Sequence, residues 1–184
     1  KTAQLAAAGA IVTAIDKSHG RLKRLTANLE RLHLNAEIHV ADAASYTPAE
    51  PFDAVLLDAP CTATGTIRRH PDILYLKRPE DTASLAALQA RILDAASRAV
   101  RVGGTLVYCT CSLEPEECAL QIASFLDRHS EFRRVAITPD EIGGAAAWIT
   151  SDGDLRTLPT HLSELPEGLA GMDGFYAARL TRMA

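Results

Sequence analysis

Short hydrophobic segments typical of buried β-strands recur along the chain, and each is followed at once or within two residues by a residue with a reactive or charged side chain. The segments span residues 11–15, 36–41, 52–57 and 105–109, and the residues that follow them are Asp16, Asp42, Asp58 and Cys111. The carboxyl ends of parallel strands meet at one edge of a sheet, where α/β proteins bind their ligands. The pattern therefore predicts one polar site built from three carboxylates and a thiol.

Helical periodicity separates these segments. Ser18 offers an N-cap to a helix marked by leucines at 22, 25, 29 and 32. A second helix covers residues 85–99 and is predicted to stop at Gly103–Gly104. A third is predicted to begin at Pro115 and run to about Arg128. A turn at 151–154 and a closing strand at 175–180 follow. Alternating strands and helices predict an α/β fold with a mostly parallel sheet.

Composition narrows the class of protein. With 184 residues, 47% of them hydrophobic and 23% charged, the chain fits one globular domain. No apolar run is long enough for a membrane span, and the start lacks a signal-peptide pattern. The four cysteines are irregularly spaced, which disfavours both a secreted disulfide framework and paired zinc ligands. We expect no membrane association, no metal and a reducing cytoplasm.

The net charge of −4 argues mildly against a dedicated nucleic-acid-binding domain. Cations nevertheless cluster in two places. The first group is Lys17, Arg21, Lys23, Arg24 and Arg31, and the second is Arg68, Arg69, Lys77 and Arg78. A solvated face explains the first group adequately, whereas the second flanks the thiol at Cys61 and is suited to phosphate.

The first two aspartates each admit two interpretations. Asp16, directly after a strand, occupies the position at which nucleotide-binding α/β folds bind ribose hydroxyls, but it is equally suited to capping a helix. Asp42 has the same two interpretations, with adenine as the ligand in the functional one. Neither residue decides the matter alone.

Two thiol motifs are more specific. Asp58–Cys61 places a carboxylate, a rigid proline and a thiol after an apolar strand, and the small residues 62–66 would let a planar substrate approach closely. Cys111 precedes the helix predicted at Pro115, whose dipole would favour a thiolate. Burial as a small hydrophobic residue suits Cys109 and Cys118 better.

A nucleophilic thiol, a carboxyl group and a nucleoside-type cofactor site suit one reaction well. A thiolate that attacks carbon 6 of cytosine, with a hydrogen bond at ring nitrogen 3, makes carbon 5 nucleophilic enough to accept a methyl group from a sulfonium. Loss of the carbon-5 proton and of the thiol then restores the ring.

These motifs resemble the Fmu/Sun family of bacterial small-subunit ribosomal RNA cytosine-5 methyltransferases, within the wider group of RNA 5-methylcytosine methyltransferases. The matching stretches are Lys1–Thr2 as the end of a glycine-rich cofactor loop, 14–18, 41–43, 58–65 with 68–72, 110–117 and 171–177. The resemblance spans nearly the whole chain. It implies a Rossmann-like fold, S-adenosyl-L-methionine as cofactor and ribosomal RNA as substrate.

The resemblance also implies roles for individual residues. Cys111 becomes the nucleophile, Cys61 an accessory thiol that assists product release, and Asp58 the group that contacts ring nitrogen 3 and lies near the cofactor. Lys1, Asp16 and Asp42 join Asp58 as cofactor-binding residues. Without the resemblance the two thiols could not be ranked. Cys118, where the family often has asparagine, and Tyr75, where it often has tryptophan, depart from the pattern.

The start of the chain leads to further expectations. The chain begins without methionine, and residues 1–184 resemble a partial catalytic domain that lacks the glycine-rich loop, the first strand and an N-terminal RNA-binding domain. We expect Asp16, Asp42 and Asp58 to line one pocket. We also expect a gap in the sheet between the strands at 11–15 and 53–57, and a monomeric full-length enzyme.

Two alternatives stay open at this point. The chain could belong to a related enzyme that methylates cytosine in tRNA or in DNA. It could also be an RNA-binding assembly factor that keeps the fold without the activity, because a fold alone does not fix a function.

Overall fold

The computed structural model describes residues 1–166 and 170–184. The chain divides into two compact units, residues 1–47 and 48–184. Each unit has strands and helices of its own, and each is described separately.

The first unit is a β-α-β arrangement preceded by a short helix. Its elements are α1 (Thr2–Ala7), β1 (Thr13–Asp16), α2 (His19–Leu32) and β2 (Glu37–Val40). Strands β1 and β2 are parallel, with Asp16 opposite Val40. The predicted N-cap is confirmed, since the Ser18 hydroxyl accepts a hydrogen bond from the amide of Arg21. Helix α2 buries Leu22 and Leu29, which are one face of the predicted leucine pattern.

The second unit contains a five-stranded sheet and three α-helices. Its elements are β3 (Phe52–Asp58), α3 (Ile73–Leu76), α4 (Pro79–Arg98), β4 (Val100–Thr110), α5 (Ala119–Arg128), β5 (Phe132–Arg134), β6 (Leu155–Thr157) and β7 (Phe175–Arg182). Short 3₁₀ turns lie at Thr64–Thr66, Pro115–Glu117, Pro139–Ile142 and Ala146–Trp148. Strand order is β3-β4-β7-β5, and β6 pairs with β7.

Strands β3 and β4 are parallel, so their carboxyl ends lie side by side with Asp58 opposite Cys109. The closing strand β7 is antiparallel to β4, β5 and β6. Helix α4 packs on β4 and on α5, and the core between them includes the fully buried Leu93, Ile122 and Phe125. Each such side chain contributes about 1.5–3 kcal/mol through its removal from water.

Gly103–Gly104 do not end the preceding helix, contrary to the prediction. Helix α4 ends at Arg98, and both glycines lie inside β4, which begins five residues earlier than predicted. The register with β3 shifts here, because Phe52 pairs with Val100 whereas Ala54 pairs with Thr105. A Cβ on Gly104 would lie 2.8 Å from the carbonyl oxygen of Asp53. The glycines therefore serve a β-bulge that brings two backbones close together.

The helix predicted from Pro115 to Arg128 is interrupted. Residues Pro115–Glu117 form a 3₁₀ turn, and α5 begins only at Ala119. Cys118 between them has φ −124° and ψ −110°, which breaks the helical path. The remaining elements agree with the predictions within a few residues, including the turn at 151–154 and the strand at the end of the chain.

Strands β1 and β3 do not pair with each other among the residues that the structure describes, since β1 pairs with β2 and β3 pairs with β4. This agrees with the expectation that another strand separates them, and that strand itself stays a prediction. No helix in the described part of the chain is both long and apolar enough to cross a membrane.

Candidate active site

Two half-buried thiols meet at the ends of neighbouring strands. Cys61 lies in the loop after β3, and Cys111 is the first residue after β4. Their sulfurs are 3.6 Å apart, within hydrogen-bonding distance. The hydrogen bond to Cys111, burial and repulsion by the charge of Cys111 raise the pKa of Cys61. Cys61 therefore keeps its proton at neutral pH and can donate it towards Cys111. Both sulfurs are close enough to contact one pyrimidine ring.

A buried carboxyl group holds the loop that carries Cys61. Glu117 is fully buried, and its two oxygens accept hydrogen bonds of 3.0 and 3.2 Å from the amide of Thr62 and one of 2.5 Å from the Thr62 hydroxyl. Gln89 on α4 donates to both Glu117 and the carbonyl of Pro60. Tyr108 lies within hydrogen-bonding distance of Gln89 and of the Glu117 backbone. The residues on both sides of Cys61 are thus fixed to α4 and β4.

A second set of hydrogen bonds fixes the loop after Cys111. The Ser112 hydroxyl lies 3.1 Å from that of Thr62, which joins the two thiol loops directly. The Arg156 guanidinium, reaching from β6, donates to the carbonyls of Ser112 and Leu113 at 2.9 Å each. Because both loops are bonded to each other and to the sheet, the distance between the sulfurs follows from the fold.

The loop after Cys61 packs against residues 171–177, called the C-terminal signature below, through backbone contacts. The amide of Gly65 donates to the carbonyl of Cys111 at 2.9 Å, and the amide of Gly174 donates to the carbonyl of Gly65 at 2.8 Å. A Cβ on Gly65 would lie 2.2 Å from the Gly174 oxygen and 2.7 Å from the Cys111 oxygen. Residues 171–177 therefore support the Cys61 loop through direct backbone contact.

Asp58 ends β3, beside the thiol loops. It is exposed, and the Cys109 sulfur lies 3.7 Å from its Oδ1. Cys109 and Cys118 are buried, as predicted for cysteines that pack as small hydrophobic residues. Burial also raises the pKa of Cys118, which suits a packed thiol.

Arg68 and Arg69 of the second basic cluster follow the 3₁₀ turn of the Cys61 loop. Arg69 forms a bidentate ion pair with Asp173, and its hydrogen bonds lower the pKa of Asp173. The pKa of Arg69 is raised chiefly by Asp173 and to a smaller extent by the charge of Cys111. The helix whose dipole was predicted to favour a thiolate at Cys111 begins only at Ala119, eight residues after Cys111.

The first unit holds the other two aspartates at one edge of its sheet. Asp16 accepts hydrogen bonds from the amide of Ser18 and from Arg21, and Asp42 accepts one from the amide of Ala44. Burial alone would raise the pKa of Asp16, but these bonds bring it below its usual value. Neither aspartate caps a helix, since the N-cap of α2 is Ser18 and Asp42 is followed by a turn and then by β3.

A carboxylate has about four acceptor positions, so these contacts leave acceptors for hydroxyl donors at the edge where β1 and β2 end. The free acceptor positions of these carboxylates therefore fit the hydroxyl groups of a ribose. Lys1 occupies the N-cap position of α1.

The sequence motifs located Asp58, Cys61 and Cys111, but the supporting residues Gln89 and Arg156 were missed. Gln89 contacts Glu117 across 28 positions in the sequence, and Arg156 contacts Ser112 across 44. No local pattern identifies partners so far apart. Glu117, in the 110–117 motif, was the one available sign of this network. Its role in holding Thr62 and Gln89 becomes visible only from its burial in the folded chain.

Residues 1–181 match the family of 16S rRNA methyltransferases RsmB/F. The chain belongs to this family. The resemblance to the Fmu/Sun group, carried by the two cysteine motifs and the C-terminal signature, is thereby confirmed. Among relatives, ribosomal RNA small subunit methyltransferase B of Vibrio cholerae is 44% identical over 174 residues. That alignment covers 93% of this chain but 36% of the relative.

Solved structures agree with this family. The crystal structure of PH0851 has a TM-score of 0.81 at 30% identity and covers 94% of this chain and 37% of that one. The structure of NSun6 from Pyrococcus horikoshii with SFG has a TM-score of 0.74 at 27% identity, covering 95% of this chain and 42% of that one. The predicted Rossmann-like α/β methyltransferase fold is confirmed. The chain spans 36–42% of the length of these proteins.

Proposed function

We propose that the protein to which this chain belongs transfers a methyl group from S-adenosyl-L-methionine to carbon 5 of cytosine in RNA, with small-subunit ribosomal RNA as the substrate. The observation that carries the proposal is the pair of sulfurs at 3.6 Å beside the end of β3. The family match and the S-adenosyl-L-methionine chemistry of the fold support it.

Cys111 is the nucleophile in this proposal. Its thiolate forms a bond to carbon 6 of cytosine, the electron pair of the 5,6 double bond forms a 4,5 double bond, and the electrons of the 3,4 double bond move onto ring nitrogen 3. Asp58, exposed at the end of β3, binds ring nitrogen 3 and holds the base against the sulfur. The positive charge of Arg69 stabilises the thiolate before attack.

The cofactor, when bound, supplies an electrophilic methyl group on a sulfonium. In the first unit, Asp16 and Asp42 would accept hydrogen bonds from its nucleoside part, and Lys1 is a further predicted contact in that unit. After methyl transfer, the carbon-5 proton passes to water, and the electron pair of that C–H bond re-forms the 5,6 double bond as the bond to Cys111 breaks. Cys61 lies against that bond with its own proton in place, so it protonates the departing Cys111 sulfur and assists release of the methylated base.

The two thiols can be separated by variants of the full-length enzyme. Cys111→Ala should abolish methyl transfer and prevent any covalent RNA complex, because no sulfur remains to attack carbon 6. Cys61→Ala should allow attack but slow elimination, so a protein–RNA adduct should accumulate. Denaturing gels with substrate RNA and cofactor would show both effects. An adduct formed by Cys111→Ala but not by Cys61→Ala would reverse the two roles.

Cys118→Ala is the matched control. It removes a buried thiol outside the sulfur pair and should keep methyl transfer at some cost in stability. Assays on separated ribosomal RNA and tRNA would test the substrate. Methylation of tRNA alone would overturn the ribosomal assignment, and cofactor binding without any methyl transfer would indicate an assembly factor.

A further inference from the structure

A cavity of about 620 Å³ opens beside the thiol loops, and neither thiol lines it. Its apolar wall includes Trp148, Leu155, Met172 and Phe175, and its polar side is formed by Arg68 together with the ion pair of Arg69 and Asp173. Ligand cavities with this volume and mixture of side chains commonly hold a molecule of nucleotide size.

The indole of Trp148 is held in place from one side. It stacks on the imidazole of His161 with ring centroids 6.0 Å apart and an angle of 14° between the planes. The imidazole is fixed in turn, since its Nδ1 accepts a hydrogen bond of 3.2 Å from the amide of Leu158. An oriented indole that lines a cavity presents a flat surface suited to a nucleobase, and stacking tolerates any base.

The cavity carries a surplus of positive charge. Arg69 is paired with Asp173, so these two charges offset each other. Arg68 donates no hydrogen bond to any residue within the ranges 1–166 and 170–184, and the single carboxylate of Asp173 attracts both arginines. Two arginines that share one carboxylate beside an aromatic wall match a nucleotide, which combines a phosphate with a flat ring.

The cavity adjoins the reacting residues through the backbone. Arg68 and Arg69 follow the 3₁₀ turn Thr64–Thr66 of the Cys61 loop, and Gly174 of the opposite wall bonds to Gly65 in that loop. The charge of Arg69 also acts on Cys111. A nucleotide in the cavity would therefore be a near neighbour of a base held at the sulfurs.

We propose that this cavity binds the nucleotide adjacent to the target cytosine in a single-stranded RNA, with its base on Trp148 and its phosphate on Arg68. The proposal takes from the proposed function only that the substrate is RNA. Stacking fixes the position of the strand without reading its sequence, so this subsite orients the target cytosine and does not select it.

Trp148 is the single tryptophan of the chain, so its fluorescence reports on this cavity alone. Titration of the 184-residue chain with the single-stranded pentaribonucleotide UUCUU should quench its emission in a saturable way. Cys111→Ala should leave the quenching unchanged. If the unmutated full-length enzyme shows no methyl transfer while the unmutated chain still shows quenching, the proposed function fails and the subsite stands.

Variants test the two contacts through the anisotropy of labelled UUCUU. Trp148→Ala should weaken binding about tenfold through loss of stacking. Arg68→Ala should weaken binding about three- to tenfold and lower the slope of log affinity against log salt by about 0.7. Arg91→Ala on α4 removes the same charge from an exposed position outside the cavity, and its slope and affinity should stay near those of the parent chain.

Three results would overturn the proposal. The first is emission that does not respond to the RNA at saturation. The second is an Arg68→Ala variant that matches Arg91→Ala in both affinity and salt slope. The third is quenching by S-adenosyl-L-methionine that RNA does not compete with, which would assign the cavity to the cofactor.

Discussion

Gly65 and Gly174 meet without any side chain between them, and this contact sets the distance of the C-terminal signature from the Cys61 loop. Two hydrogen bonds, from Gly65 to Cys111 and from Gly174 to Gly65, run through the contact. Neither position has room for a methyl group. A glycine is required here because backbones approach closely, and the φ of Gly65 is not in the left-handed region.

We expect Gly65→Ala to lower the free energy of unfolding by about 1–3 kcal/mol, because the added Cβ would collide with two carbonyl oxygens. Methyl transfer should fall as well, since the collision displaces the backbone of Cys111. Urea unfolding of the variant would measure the first effect.

Gly20→Ala in α2 is the control. Its Cβ meets nothing closer than the Ser18 hydroxyl at 3.9 Å, so the variant should gain about 0.5–1 kcal/mol. Equal stability of Gly65→Ala and the parent chain would mean that the loop moves freely, contrary to the network described above.

The reactive residues themselves could be predicted from the sequence. Asp58, Cys61 and Cys111 follow apolar strands, and the ends of parallel strands are brought together by the sheet itself. The residues that hold them could not be predicted, because Glu117 binds Thr62 across 55 positions and only the folded chain brings the two together. A buried glutamate looks like any other charged residue in a sequence.

At the scale of elements, the presence of each strand and helix was predicted more accurately than the residues at which it begins and ends. The glycine pair at 103–104 was predicted to end a helix, because glycine is common at helix ends. A β-bulge between β3 and β4 also requires a small residue, and this is where the two glycines lie. The interruption at Cys118 was missed because helical periodicity continues across it. Local propensity does not distinguish such cases.

Strands β1 and β3 each have one edge that no strand of the described residues pairs with. Exposed apolar side chains accompany these strands, with Leu56 of β3 39% exposed and Ile11 before β1 fully exposed. Edges of this kind invite a further strand. We expect additional residues, outside the given 184, to pair a further strand with each of these edges.

Hydrogen exchange would test this in a longer protein that includes those residues. Amides of β1 and β3 should exchange at least about tenfold more slowly than in the 184-residue chain. Amides of β7, which pairs with β4, β5 and β6 in both cases, provide the reference. Unchanged exchange in β1 and β3 would rule out the additional strand.

At the scale of the whole molecule, the chain is acidic although its family acts on RNA. The net charge of −4 hides a local arrangement in which Arg68 and Arg69 stand beside the thiol loops. Total charge is therefore a poorer guide to an RNA partner than the position of the cations relative to the motifs. The division into two units could not be read from the sequence, because no change of composition marks residue 47.

The spacing of Cys61 and Cys111 also has an electrochemical consequence. Hydrogen peroxide would convert the Cys111 thiolate to a sulfenic acid, and the Cys61 thiol, 3.6 Å away, would condense with it to a disulfide and release water. We expect peroxide to abolish methyl transfer in the full-length enzyme and to lower its number of titratable thiols by two, and dithiothreitol to restore both. Peptide mass spectrometry should find residues 61 and 111 linked, and a link through Cys109 or Cys118 would contradict this. The enzyme would then methylate RNA only while the cell keeps this pair reduced.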